Sequence, residues 1–168
     1  MKLSVVIPNY NHSSFIEEQI QSIINQNYKF FELIIIDDKS TDNSVKIIKK
    51  IIKKYFNENI IFIESDQNVG PLVTLNKGLE LSKGDYIYFP SADDRICQNL
   101  FEEAYLMFKK YPQSGIFSAL GYQMNKEGKY LNLISSPLIS NSNIYLNPEN
   151  AKKYLSKFGF WIVGQTMI

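Results

Sequence analysis

Apolar positions along the chain change period repeatedly, and the changes divide it into alternating elements. Leu3 to Ile7 is a β-rich run closed by Pro8. Ser14-Phe-Ile-Glu17 has the spacing of a capping box. Behind it, Ile16, Ile20, Ile23 and Ile24 fall on the i, i+4, i+7, i+8 pattern of an amphipathic helix. Phe31 to Ile36 predicts a second strand, apolar apart from Glu32. Asp42 or Asn43 is placed to cap the next helix, in which Val45, Ile48, Ile52 and Tyr55 share a stripe. Ile60 to Ile63 predicts a third strand. Gly70-Pro71 opens a third helix, with Pro at an early position where its missing N–H costs little. Leu72, Leu75 and Leu79 are its expected inner face, and Gly84 follows its end. A fourth strand over Tyr86 to Phe89, a fourth helix over Leu100 to Tyr111 and a fifth strand over Gly115 to Leu120 complete the pattern.

Strands alternating with helices imply right-handed crossovers, and hence an α/β fold whose parallel sheet is covered on both faces. Beyond Tyr122 the pattern weakens. Tyr130 to Ile134 reads as a strand after a turn at Lys126-Glu-Gly128. Ser135 to Asn147, rich in Ser, Asn and Pro, reads as a loop, and Pro148 to Lys157 as a short helix with Asn147 as its cap. The closing run FWIVGQTMI is apolar to its last residue, and an exposed strand of that kind is a liability. The expectation is a fragment, cut inside or just before a further strand.

The 168 residues suffice for one domain with a core. A net charge of +1 supplies no general field for nucleic acid or acidic lipid, and the lysines lie mostly on predicted helix faces. Cys97 is the single cysteine, so no intrachain disulfide can form; it is expected as a small buried filler. His12 is the only histidine, which excludes a Cys/Cys/His metal site by count and argues against a histidine-based triad. The apolar runs are far shorter than a membrane span and the N-terminus lacks a leader pattern. These features predict a cytoplasmic protein, with attachment to the inner face of the membrane left open and the oligomeric state undetermined.

Ligands of an open parallel sheet bind beyond the carboxyl ends of its strands. Three such ends are polar here: Pro8-Asn9-Tyr10-Asn11, Asp37-Asp38-Lys39-Ser40-Thr41-Asp42 and Ser91-Ala92-Asp93-Asp94. Clustered acids need a positive partner: a divalent cation, hydrogen-bond donors of a ligand, or Lys39 and Arg95. Hard oxygen ligands suit Mg²⁺ or Mn²⁺, and a site with one or two carboxylates leaves room for substrate phosphates. The second acid pair therefore suggests a metal-bridged diphosphate. The plainer reading is that Asp and Ser favour turns, and for Ser40, Thr41, Asp42 and Asn43 capping is preferred. No glycine-rich phosphate loop follows the first strand. Tyr10 stands there, able to stack on a base or simply to pack.

LSVVIPNYN, FELIIIDDKSTDNS and NVGPLVTLNKGLELSKGDYIYFPSADD follow one another at the spacing of inverting family 2 glycosyltransferases, which have the GT-A fold. The resemblance covers Lys2 to Asp94 and extends into the helix after it. It implies a single GT-A domain over residues 1–168, with a nucleotide-sugar-binding part at 1–120 and the start of an incomplete acceptor-side part at 121–168. By this resemblance Pro8 and Tyr10 border the base, and Asp38, or Asp37 beside it, bonds the base edge. Asn68, Gly70 and Asn76 match the pattern near the nucleotide. Asp93 and Asp94 match the carboxylates of the Asp-X-Asp region: one faces the ribose or a metal water, the other ligates Mn²⁺ or Mg²⁺. The implied activity is transfer of a sugar, most readily from a UDP-sugar, to a glycan, lipid-linked or protein acceptor, as in bacterial polysaccharide biosynthesis.

Two departures stand out. Ser91 occupies a position where many members carry Asp, so weakened but not abolished metal coordination is expected, with the hydroxyl free to reach the ribose. The general base that inversion requires lies, in the family, after a strand resembling GQTMI, where this chain stops. Glu149 is not at a matching place, and Glu102 and Glu103 are expected on a solvent face. The fragment is thus expected to hold the donor site without the base. The alternative is a nucleotide-sugar-binding or scaffold module without turnover.

Overall fold

The computed structural model describes residues 1–56, 58–125, 127–133 and 143–158. In chain order the elements are β1 (Leu3–Asn9), α1 (Ile16–Ile24), β2 (Glu32–Asp37), α2 (Ser44–Lys54), β3 (Ile60–Glu64), α3 (Pro71–Leu81), β4 (Tyr86–Tyr88), α4 (Leu100–Lys110), β5 (Tyr122–Met124), β6 (Tyr130–Leu133) and α5 (Pro148–Phe158). The first four strands form one parallel sheet in the order β3-β2-β1-β4. β5 and β6 form a separate antiparallel hairpin.

The two inner strands are buried on both faces, as continuous apolar runs require. Leu3, Val5, Ile7, Leu33 and Ile35 point to one face, where they meet the isoleucines of α1, Ile48 and Ile51 of α2, and Phe101, Ala104 and Phe108 of α4. Val6, Ile34 and Ile36 point to the other, which carries α3. The fold is the expected α/β arrangement, with a mostly parallel sheet flanked by helices.

α3 reverses the expected face. Its buried residues are Thr74 and Gly78, while Leu72 is 71% and Leu79 50% exposed. A Cβ at residue 78 would lie 2.2 Å from Cγ1 of Val6, so only a glycine lets the helix come this close to the sheet. Close approach selects small residues inward and turns the leucines out.

Other local expectations also change. The Ser14–Glu17 box does not cap α1; Phe15 and Ile16 N–H both donate to the His12 carbonyl at 2.9 Å, so a backbone turn satisfies the start. Residues 115–120 do not form a fifth strand. Phe117 and Ala119 pack against the core instead, with the Phe117 ring 6.4 Å from that of Phe108. Burial against α4 takes the place of a ladder. Cys97 is exposed rather than buried, because its segment is tied to α1 through its carbonyl and not through the thiol. Of the expected turn, Lys126 lies outside the described residues, while Gly128, at φ 78°, donates its N–H to the Asn125 carbonyl between β5 and β6. Asn147 Oδ1 accepts from Asn150 N–H at 2.9 Å and caps α5. Ile134, most of the expected 135–147 loop and the closing apolar run lie outside the described residues.

Candidate functional site

Polar loops from β1, β2 and β4 meet at the carboxyl edge of the sheet. β1 lies between the other two, so the acid pairs following β2 and β4 are not on neighbouring strands.

The β1 and β2 ends are bonded to each other. Asp37 accepts Asn9 Nδ2 at 2.7 Å, Ser40 N–H at 2.8 Å and Ser40 Oγ at 2.6 Å. Ser40 Oγ also receives the Asn11 N–H at 2.9 Å, and Asn11 Oδ1 receives the Thr41 N–H at 2.8 Å. Asn11 and Lys39 hold the left-handed backbone that these tight crossings need, at φ 58° and 64°. Asp42 accepts Ser13 N–H and Ser44 N–H, both at 2.8 Å. It thereby joins the β1 loop to the start of α2, and of the two expected caps it is the one that acts. Burial opposes its ionisation, but the hydrogen bonds from Ser44 and Ser13 prevail and bring its pKa to about 2.

Asp38 turns the other way. Its two oxygens accept the backbone N–H groups of Val69 and Gly70 at 2.9 and 2.8 Å. Gly70 has φ 84° and forms the N-terminal boundary of α3, with Pro71 behind it, so Asp38 fixes where α3 begins. Asp37 and Asp38 are both buried. Around them Pro8 is half-buried, while Tyr10, Asn68 and Asn76 are exposed.

The β4 end is different in kind. Asp93 is exposed and Asp94 half-buried. Oδ2 of Asp94 is buried and has no hydrogen-bond partner. Burial raises the Asp94 pKa, the neighbouring Asp93 charge raises it further, and hydrogen bonds from Ser91 partly offset both. Burial and the Asp94 charge likewise push the Tyr88 hydroxyl up. Arg95 does not neutralise the pair. It forms an ion pair with Glu18, lies 5.0 Å over the Tyr130 ring and reaches the Gly128 carbonyl at 3.5 Å.

Among the described residues, no group of three or more His, Cys, Asp or Glu could enclose an ion. What the rim supplies is two carboxylates, one of them with a buried oxygen lacking any donor. That donor set fits a hard divalent cation whose remaining positions are filled by phosphate and water. Asp93 and Asp94 would hold it.

Residues that composition alone did not single out build the frame. Asn9, Asn11 and Ser40 stitch the loops, and Gln19, Ser22 and Gln26 line the α1 face toward the β4 loop. The signal for the last three was uncharged polar residues set among the isoleucines of α1 and just past its end.

A family model for "Glycosyl transferase family 2" matches residues 4–162. A poly(ribitol-phosphate) beta-glucosyltransferase of Bacillus spizizenii is 40% identical over 119 residues, covering 69% of this chain and 18% of that protein. The crystal structure of S. aureus TarS 1–349 with UDP-GlcNAc has 28% identity and a TM-score of 0.63, covering 70% of this chain and 34% of that one. A Pyrobaculum calidifontis mannosyltransferase bound to GDP-Man and Mn²⁺ shares the fold at a TM-score of 0.64 and 22% identity, over 70% of this chain and 35% of that one. The chain spans about a third or less of the length of each.

Proposed function

The chain belongs to glycosyl transferase family 2, and from that premise we propose that it forms the donor-binding part of a metal-assisted, inverting glycosyltransferase. The donor is a nucleoside diphosphate sugar, with UDP as the nucleotide. The acceptor is a glycan, lipid-linked glycan or protein. The single observation that carries the reading is the β4 rim: an exposed Asp93 beside an Asp94 whose buried Oδ2 has no partner, at the edge where open parallel sheets bind ligands. The poly(ribitol-phosphate) beta-glucosyltransferase relative and the UDP-GlcNAc complex of TarS support a UDP-sugar and a polysaccharide setting. The Mn²⁺ of the mannosyltransferase complex supports a divalent ion.

In this reading Pro8 and Tyr10 border the base. Asp38 is the acid assigned to the base edge, because Asp37 already accepts three hydrogen bonds and Asp38 two. Asn68, Gly70 and Asn76 line the nucleotide from the start of α3. Asp93 and Asp94 would hold the cation, which when bound would supply charge neutralisation for the leaving diphosphate. Transfer is a single displacement at the anomeric carbon, and none of Glu102, Glu103 and Glu149 is assigned as the general base that takes the acceptor proton.

A thermal-shift panel of UDP- and GDP-linked sugars with and without Mn²⁺ tests the assignment. A UDP-linked donor should stabilise the chain only with metal, and Asp94→Ala should remove the gain. Stabilisation by no donor in the presence of metal would sink the reading.

A further inference from the structure

The loop that carries the acid pair has little regular structure of its own, yet one face of α1 binds it at several points. Gln19 is fully buried, and its Nε2 donates to the Ser91 carbonyl at 2.8 Å. Its Oε1 accepts from Ser22 Oγ at 3.0 Å. The same Ser22 Oγ accepts the Ile96 N–H at 3.1 Å. Gln26, 3% exposed, donates through Nε2 to the Cys97 carbonyl at 3.0 Å and accepts the Phe101 N–H at 3.4 Å. At the helix end Asn27 Nδ2 donates to Asn99 Oδ1 at 2.6 Å.

The spacing explains the arrangement. Gln19 and Ser22 are three apart on α1 and share one helix face, and Gln26 follows two residues past the end of the helix. Each donor or acceptor along residues 91–97 that these side chains meet is a backbone group. The contacts fix the path of the loop whatever its side chains are. Buried amides also exclude water, so a broken contact leaves an unpaired carbonyl or N–H. Asp93 and Asp94 lie between the Ser91 and Ile96 tie points.

We propose that Gln19, Ser22 and Gln26 are positioning residues: they hold the 91–97 backbone in the one conformation that presents both carboxylates to a cation, and so set its affinity. This rests on the donor-site reading for its ligand, but the anchoring stands on hydrogen bonds alone. Outer groups that orient ligands commonly change metal affinity by about 10–100-fold when removed.

The test compares the wild-type chain with Gln19→Met, which keeps the shape and loses both bonds, and with Ser22→Ala, a smaller lesion in case the first fails to fold. Two quantities are measured: the Mn²⁺ concentration giving half-maximal UDP binding, and amide hydrogen exchange over residues 91–97 and over β1 and β2. The expected result is a rise of roughly tenfold or more in the Mn²⁺ requirement, with faster exchange in that loop and unchanged exchange over β1 and β2. A structural role alone would speed exchange across the sheet as well. An unchanged Mn²⁺ requirement with unchanged loop exchange overturns the proposal. If the wild type binds no UDP with Mn²⁺, the donor-site reading and the affinity half of the proposal both fail, and the exchange data still judge the anchoring.

Discussion

The two margins of the site are built on opposite plans. Where β1 and β2 end, the carboxylates already have partners: Asp37, Asp38 and Asp42 accept seven hydrogen bonds among them, counted as three, two and two, and the buried atoms without one there are Asn9 Oδ1, His12 Nδ1 and Ser44 Oγ. Where β4 ends, one carboxylate faces solvent and its neighbour has an oxygen with no partner. Both margins hold adjacent aspartates, so the dipeptide does not distinguish them. Surroundings do. The first margin bonds its acids to its own loops, and the second leaves its carboxylates able to meet an outside charge.

Substitutions can break that contrast, beginning with the largest expected effect. Asp37→Ala should lower unfolding free energy by about 3 kcal/mol, since it strips partners from Asn9 and Ser40 in a buried network; urea denaturation reads it. A loss below half that size would mean the first margin is not held by its bonded acids. Asp38→Asn should cost about 2 kcal/mol, because an amide nitrogen then opposes the Val69 or Gly70 N–H. Its unfolding curve should also report looser docking of α3. Asp94→Asn should behave in the contrary sense without metal. A carboxyl whose pKa is raised is held in a charged form the fold disfavours, so the metal-free protein should gain less than about 1 kcal/mol after solvent screening, and calorimetry checks the sign. Asp42 gives the smallest effect, a few tenths of a kcal/mol at this exposed position. Its folded pKa of about 2 lies below the ordinary 3.8, so its contribution is complete above 3.8 and vanishes as pH falls through about 2. The stability difference between wild type and Asp42→Asn should close across that window.

Sequence periodicity carried the sheet and four of its helices well, because buried parallel strands and amphipathic helices have strong, distinct patterns. It failed where packing depends on what is small. In α3 the leucines made an attractive stripe, but contact with Val6 selected Thr74 and Gly78. Residues 115–120 looked like a strand because apolar content alone cannot tell a ladder from a segment lying on a core. The acid pairs were legible as chemistry. Their division into bonded and open carboxylates was not, since it depends on Asn9, Ser40, Val69 and Gly70 reaching one pair and not the other.

The placing of β1 between β2 and β4 sets a ruler across the molecule's upper edge. Two inter-strand gaps amount to about 10 Å, a distance fixed by backbone pairing and untouched by most side-chain changes. A compound too short to bridge that interval can touch one margin only. Selection by reach therefore precedes selection by chemistry, and altering it would require a change of topology, not a point substitution.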